Sequence, residues 1–448
     1  LLNGIAKALI ENQQIDSGFI AQHTDDFYVF KQELESTDWQ TIENHCGVTQ
    51  EKIIQLANAY AKSERAIFAW GMGITHHLNG VENVEAIANL ALLRGMIGKP
   101  AAGLLPLRGH SNVQGIGTVG VKPVLAEDVL EKLEQQLDIQ LPRTPGMDTL
   151  ACLHAAFDGK INAAIIMGGN LFSATPNTER ARAALDKIPF KVYLTTTLNA
   201  GHINGVENSE ALILPVTARD EEWQPTTQES MFNYVRLSDG GIDRLHNVKP
   251  EVEILCELGI RLLPAAAYHF QQFKKHNSIR AAIAKTIPGL ENLKDIEKTK
   301  QEFTIKNRLL DEAVFHTKNQ KAQFKTHPLH SITKNEEFPF MLASIRSEGQ
   351  FNSIIYEESD SYRGTDSRWS VLMNHDDMKE LGIDAGELVN ITSMQGIMTE
   401  VKAVGFDLPR GNLLAYYPEA NVLIATTHDP RSKTPAFKSV PVKIVKAK

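Results

Sequence analysis

Four hydrogen-bonding side chains stand at alternate positions in one short stretch of this 448-residue sequence: Arg108, His110, Asn112 and Gln114, within PLRGHSNVQGIGTVG. An arginine offers a fixed fork of donors to a carboxylate or phosphate. A histidine exchanges a proton near neutral pH. The competing reading is an ordinary polar loop. The same stretch ends in a literal G-x-G-x-x-G at Gly115, Gly117 and Gly120. A dinucleotide fingerprint needs a strand before it and a helix after it. Here polar residues precede the glycines and Pro123 follows them, so a nicotinamide-dependent dehydrogenase is disfavoured.

Two further loops have chemistry within reach. WGMGITHH carries Gly71, Met72 and Gly73, and MGGNLFSATPN carries Gly168, Gly169 and Asn170. Each follows a short apolar run and precedes a helical pattern. Small residues there let backbone N–H groups meet a phosphate at a helix N-terminus, or they only make tight turns between strand and helix. Ligands of open α/β sheets sit at the carboxyl ends of the strands. His76 and His77 read as loop histidines rather than metal ligands. Cys152 and Cys256 fall on apolar helical faces and are expected in the core.

The elements that must position these residues follow from periodicity. Residues 1–60 read as helices, with TQEKIIQLANAYAKS amphipathic from Thr49. RAIFAW is a strand and GVENVEAIANLALLRGMIG a helix. Residues 106–123 are expected to be irregular and 124–140 helical. MDTLACLHAAFDGK is a helix, INAAIIMGGN a buried strand ending on Gly-Gly-Asn, and TPNTERARAALDKI a helix capped by Asn177 or Thr178. FKVYLT and EALILPV are strands. This alternation implies parallel sheets with covering helices. PEVEILCELGIRLLP is a short helix. The Lys/Glu/Gln-rich stretch 290–330 is expected as exposed helices and connectors. From Phe338, six short strands (FPFMLASIR, WSVLMN, ELVNITSM, IMTEVKAV, NLLAYYP, VPVKIVKA) suggest a barrel.

Bulk properties narrow the class. A formal net charge of −8 argues against a binder driven by nucleic-acid phosphates. Three cysteines without a C-x-x-C give no cysteine-based zinc or iron–sulfur site and fit a reducing compartment, hence a cytoplasmic location. No metal-ligand set is expected within the chain, and no run is long enough for a membrane span. The sequence opens on LLNGIAKALIE, already helical and without Met, and reads as part of a longer chain.

WGMGITHHLNGVENVEAIANLALLRGMIGKPAAGLLPLRGHSNVQG resembles the molybdopterin oxidoreductase family, nearest its formate dehydrogenase alpha-subunit-like branch. IIMGGNLFSATPNTERARAAL is similar to that family's second guanine-nucleotide loop. SIRSEGQFNSIIYEESDSYRG, VLMNHDDMKELGIDAGELVNI and YYPEANVLIATTHDPRSKTPAFKSVPVKI resemble its C-terminal dinucleotide-binding barrel. The resemblance implies an α/β fold with two partial Rossmann-like parallel-sheet domains and a C-terminal double-psi-type six-stranded β-barrel. Its implied domains are 1–107 and 108–215, both cofactor-binding, then a connecting region 216–335 and the barrel at 336–448.

It also implies a bis-molybdopterin guanine dinucleotide carrying Mo or W. A 4Fe–4S cluster would be held by an N-terminal segment, and the metal's protein ligand would lie outside this chain, which alone would be inactive. Arg108 and His110 take the catalytic positions by this match. His110 stands where formate enzymes have Gln, which puts formate itself in question. Gly71, Met72, Gly73, Gly109, Asn112, Gln114, Gly115, Gly168, Gly169, Asn170, Thr195, Thr197, Ser347, Gln350, Phe351, Asn352, Asn374, His375 and Lys438 take cofactor-binding positions. The implied reaction is a two-electron oxidation or reduction of a small anionic substrate, with an electron-transfer protein as partner. The alternative is a pterin-dinucleotide-binding module or redox-inactive paralogue.

Overall fold

The computed structural model describes residues 1–231, 233–306, 312–330 and 336–447. The chain forms two compact units. The smaller comprises Leu1–Gly109, Lys306–Lys334 and Thr427–Pro435; the larger comprises His110–Ile305, Asn335–Thr426 and Ala436–Lys448.

In the smaller unit, strands β1 (Ile67–Trp70) and β2 (Gly103–Pro106) pair in parallel. Helices α1 (Leu2–Glu11), α2 (Gln50–Ala61) and α3 (Gly80–Leu93) supply the core through Leu9, Ile53, Ala57, Leu90 and Leu93. Phe315 and Phe324 join that core. Asp429 is buried and accepts the Val81 N–H at 3.1 Å, at the start of α3.

The larger unit opens with α4 (Val113–Thr118), a short helix in a stretch expected to be irregular. It forms because Asn112 takes φ +62° and its Oδ1 accepts the backbone N–H of Glu229 at 3.0 Å. Gly115 sits under that bond: a Cβ there would lie 2.0 Å from Asn112 Oδ1. Only glycine leaves room for the contact, so this glycine is explained by packing.

Helix α5 (Thr149–Phe157) leads into strand β3 (Ala163–Met167), α6 (Thr178–Asp186), β4 (Phe190–Thr195) and β5 (Glu210–Pro215). The strands form a parallel sheet in the order β3–β4–β5, as the alternating pattern requires. Helices α5 and α6 cover one face through Leu153, Ala184 and Leu185 against Ala164 and Ile166. Helix α7 (Glu251–Leu262) packs Ile254 and Leu255 on Val192 and Leu194 of the other. Asn177, not Thr178, caps α6, accepting the Arg180 N–H at 3.2 Å. An antiparallel hairpin, β6 (Thr226–Glu229) and β7 (Tyr234–Ser238), follows.

All six C-terminal strands expected from the sequence are present: β8 (Phe340–Ile345), β9 (Ser370–Met373), β10 (Leu388–Thr392), β11 (Ile397–Gly405), β12 (Asn412–Tyr416) and β13 (Val440–Lys446). They close into a barrel in the order β8–β12–β9–β11–β10–β13. Pairs β8/β12 and β9/β11 are parallel and the other four antiparallel. Its interior holds Leu342, Val371, Met373, Val389, Ile391, Val401, Leu413 and Val442, all at 0% exposure. Helix α8 (His375–Glu380) follows β9.

Three expectations are corrected. Strand β3, expected to be buried, leaves Ile165 and Met167 exposed because it is an edge of its sheet. Cys152 is exposed on α5, whereas Cys256 is buried: the short α5 turns Leu150, Leu153 and Ala156 inward and leaves Cys152 on its outer side. The stretch 290–330 is not mainly exposed helix. Leu290, Leu293, Ile296 and Ile305 form a small core with Val235, beneath a charged surface. Charge density marks the outside of such a segment and says little about the apolar residues spaced between the charges. Among the described residues, no helix is long and apolar enough to cross a membrane.

Candidate functional site

The sheet of the larger unit ends in two loops. After β3, Gly168 and Gly169 take φ +61° and +72°, and nothing lies within 4 Å of where their side chains would be. This backbone conformation favours glycine. The Gly168 N–H donates to the Leu194 carbonyl at 2.7 Å, tying the turn to β4. Asn170, buried, accepts the Ser173 N–H at 3.0 Å and donates to the Ser353 carbonyl at 3.1 Å. It thereby fastens the sheet's first loop to the barrel loop 347–355.

After β4, the Thr195 hydroxyl is turned back onto the Thr197 carbonyl at 2.7 Å, and Thr197 is exposed. Asn199 donates to the Gly169 carbonyl at 3.0 Å and accepts from the Gly201 N–H at 2.9 Å. His202 Nδ1 accepts the Asn199 N–H at 3.0 Å. Burial pulls the imidazole pKa of His202 down, so this support stays neutral with its proton on Nε2.

In the barrel, the sequence-derived residues meet around one arginine that the sequence reading missed. Arg368 is almost fully buried and donates to Glu419 at 2.7 and 2.9 Å, to Ser347 Oγ at 2.7 Å, to Gln350 Oε1 at 3.3 Å and to the Tyr417 carbonyl. Its guanidinium lies 4.1 Å from the Tyr356 ring centroid. Gln350 in turn donates to the carbonyls of Asn352 at 2.7 Å and Tyr417 at 2.8 Å. Tyr417 OH reaches Asn352 Oδ1 at 3.3 Å. Ser347, Gln350 and Asn352 are therefore fixed by one network. Phe351 projects from it, exposed, and meets the His110 ring edge-on at 4.4 Å. His110 Nδ1 is buried without a hydrogen-bond partner.

Lys438 reaches the Ser344 carbonyl. Burial, with Arg346 nearby, pushes its pKa down to about 8. Arg346 lies over the Tyr417 ring at 5.4 Å. Neither cation forms an ion pair among the described residues. Arg346 was not singled out in the sequence; its signal is a second basic residue at the end of β8, opposite Lys438.

Other positions have different occupations. Asn374 caps α8, accepting the N–H groups of Asp376 at 2.8 Å and Asp377 at 3.3 Å, and donates to the Leu408 carbonyl. The exposed His375 ring lies on Gly405, where a Cβ would meet it at 2.5 Å. Asn112 is committed to the Glu229 N–H, and Gln114 is half-buried on α4. In the smaller unit, Gly71 precedes a single helical turn at Met72–Thr75; Gly71, Gly73 and Gly109 have open space where a side chain would stand, and Met72 and Arg108 are exposed. No group of three or more His, Cys, Asp or Glu among the described residues could hold a metal ion.

These features fit a phosphate-bearing ligand. Positive-φ glycines leave a cradle beside backbone amides, and two neighbouring cations lack an internal acid. The comparisons with known proteins decide which ligand. The Molybdopterin oxidoreductase family matches residues 1–258, and the Molydopterin dinucleotide binding domain matches residues 340–441.

The chain belongs to the molybdopterin oxidoreductase family.

Its family relatives include an uncharacterized oxidoreductase of Mycobacterium tuberculosis, 32% identical over 99% of this chain and 60% of that protein. Protein YdeP of Escherichia coli is 31% identical over 99% and 62%, and formate dehydrogenase H of Escherichia coli 26% over 99% and 64%. The chain thus spans about three-fifths of the length of the curated relatives it matches. Acetylene hydratase from Pelobacter acetylenicus shares the fold, with a TM-score of 0.73 at 15% identity, over 100% of this chain and 70% of that one. With the molybdopterin oxidoreductase family comes its cofactor, the bis-molybdopterin guanine dinucleotide.

Proposed function

We propose that this chain is the larger part of the catalytic subunit of a molybdenum or tungsten oxidoreductase of the formate dehydrogenase type, acting on a small anionic substrate. The observation that supports this best is the coincidence of the two family matches with the cradle at Gly168–Gly169 and the unpaired cations Lys438 and Arg346. Lys438 and Arg346 would hold phosphate oxygens as point charge and fork respectively. The backbone amides of Gly169 and Asn170 would hold a second polar edge. Ser347, Gln350 and Asn352, fixed by Arg368, would present a rigid polar rim.

When bound, the cofactor supplies the centre that accepts or gives the two electrons. The protein's own contribution is binding and proton handling. Arg108 is exposed and always charged, and would bind the substrate's carboxylate or oxyanion through two parallel hydrogen bonds. His110, with Nδ1 buried and unbonded, would exchange a proton at Nε2. A cytoplasmic setting and an electron-accepting partner protein belong to the same proposal, as does the metal's protein ligand lying outside this chain.

Metal and nucleotide analysis of the longest natural form of the protein tests the reading. The expected result is Mo or W by mass spectrometry, with about two GMP per metal released by acid hydrolysis. Arg108→Ala should then abolish turnover while leaving GMP content unchanged. Neither metal nor GMP, in a host that makes the cofactor, would leave a structural paralogue.

A further inference from the structure

Arg219 stands on a 3-10 turn, Arg219–Glu221, just beyond β5. Its side chain lies across one face of the β6–β7 hairpin. Nη1 donates to Gln228 Oε1 at 2.9 Å, and Nη2 to Ser238 Oγ at 3.0 Å. In the hairpin register Ser238 faces Thr226, so Gln228 and Ser238 belong to the same face. Nη1 also donates to Ser111 Oγ at 3.3 Å, the hydroxyl directly after His110. All three acceptors are neutral, and Arg219 forms no ion pair among the described residues. The neighbouring acids Asp220 and Glu221 are turned to Arg244, at 3.1 and 3.9 Å.

The segment after Arg108 thus has two ties to the hairpin. Asn112 Oδ1 accepts the Glu229 N–H at 3.0 Å, with Gly115 packed beneath it. Ser111 is held by Arg219. Between these ties and Phe351, His110 has little freedom: its ring rests on Phe351 at 4.4 Å and its Nδ1 is sealed. A planar guanidinium reaching three oxygens at once fixes orientation in a way a flexible ammonium does not.

We propose that Arg219 is a positioning residue for His110: by bridging Gln228 and Ser238 of the hairpin to Ser111, it sets the ring of His110 against Phe351. The proposal rests on the role given to His110 above. It assigns to the hairpin, outside the motifs the family resemblance rests on, the task of holding the proton-handling side chain.

Carbethoxylation by diethyl pyrocarbonate, followed residue by residue by peptide mass spectrometry on the longest natural form, tests it without turnover. His246, 87% exposed, is the internal reference, and buried His202 reports on the integrity of the fold. In the unaltered protein His110 should react more slowly than His246. In Arg219→Ala the His110/His246 ratio should rise several-fold while His202 stays protected. Arg219→Lys should behave like Arg219→Ala, because it keeps the charge and loses the fork. An unchanged ratio in Arg219→Ala, or a normal one in Arg219→Lys, overturns the proposal. Should Arg219→Ala unmask His202 as well, Ser238→Ala, which leaves the arginine in place, is read by the same ratio, and an unchanged value there overturns it. GMP measured on the same samples separates the two ideas. A raised ratio in protein lacking GMP removes the functional reading and keeps the positioning; a flat ratio in GMP-loaded protein does the reverse.

Discussion

The barrel and the three-stranded sheet lie in one compact unit and hold their polar groups in opposite ways. Every barrel strand has two neighbours, and the interior is sealed at 0% exposure. Its loop residues are locked by side chains gathered on a single buried arginine. The sheet has two edges; β4 is buried from Lys191 onward, but Ile165 and Met167 on β3 and Leu212 on β5 are 51%, 55% and 46% exposed. Its loops are shaped by backbone conformation, through positive-φ glycines and asparagine caps. Closure makes the barrel's site residues part of its stability. The Gly168–Gly169 turn after β3 has open space beside it, so it can be shaped for a ligand at small cost to the fold.

That contrast can be broken most severely at Arg368. Arg368→Met leaves Glu419 without its partner, while the Tyr417 carbonyl keeps only Gln350. Loss of one member of a buried pair costs about 3–5 kcal/mol, and urea unfolding of cofactor-free protein should show it. A loss below 1 kcal/mol would mean that the network is ornamental to stability. Lys438→Met should lower affinity for pyrophosphate or GMP by about 1.5–3 kcal/mol, the range for hydrogen bonds to charged groups, with little effect on unfolding. Its pH dependence has a definite sign. The folded-state pKa, about 8, lies below the ordinary 10.5. An anion needs the charged form, so calorimetric affinity should fall as pH rises above about 8, and Lys438→Met should remove that slope. Cofactor-free protein should change oppositely, gaining stability between pH 8 and the ordinary lysine range and losing it as pH falls through 8.

At the sheet, Gly168→Ala places a Cβ in the left-handed region, which costs about 1–2 kcal/mol, and it fills the cradle. GMP content should fall more than the melting temperature does; the reverse order would mark the loop as merely structural. Asn170→Ala is the mildest change, about 1 kcal/mol for a lost cap. Hydrogen exchange in the peptide containing Ser353 should rise with it, because the tie between the sheet loop and the barrel loop is cut.

The same contrast explains what could be read in the sequence. Barrel strands such as ELVNITSM and IMTEVKAV announce themselves by alternation, and β3 by an apolar run ending at glycines. Arg368 was not legible. It precedes a strand in DSRWSVLM and looks like a turn residue, because Ser347, Gln350, Tyr356 and Glu419, which make it a hub, are distant in sequence. Helix α4 was hidden by its glycines, and the reason for Gly115 is a contact with β6 more than a hundred residues on. The resemblance reached Asn112 and Asn374 as cofactor positions, yet their side chains serve the Glu229 N–H and the cap of α8. Local pattern reveals elements; it does not reveal which polar groups are already spent on each other.

The order of synthesis gives barrel closure a further meaning. Strand β13 pairs with β10 on one side and β8 on the other, and it is the last of the six to be made. A ribosome adding about 5–20 residues per second takes roughly 15–55 seconds to travel from the Gly168–Asn170 loop to β13. Once β5 is made the sheet's loops exist, while Asn170 lacks its barrel partner Ser353 or has it only on an unclosed sheet. A nascent chain therefore passes through a stage in which one half of the cradle is built and the other is still open, until the final strand closes the barrel.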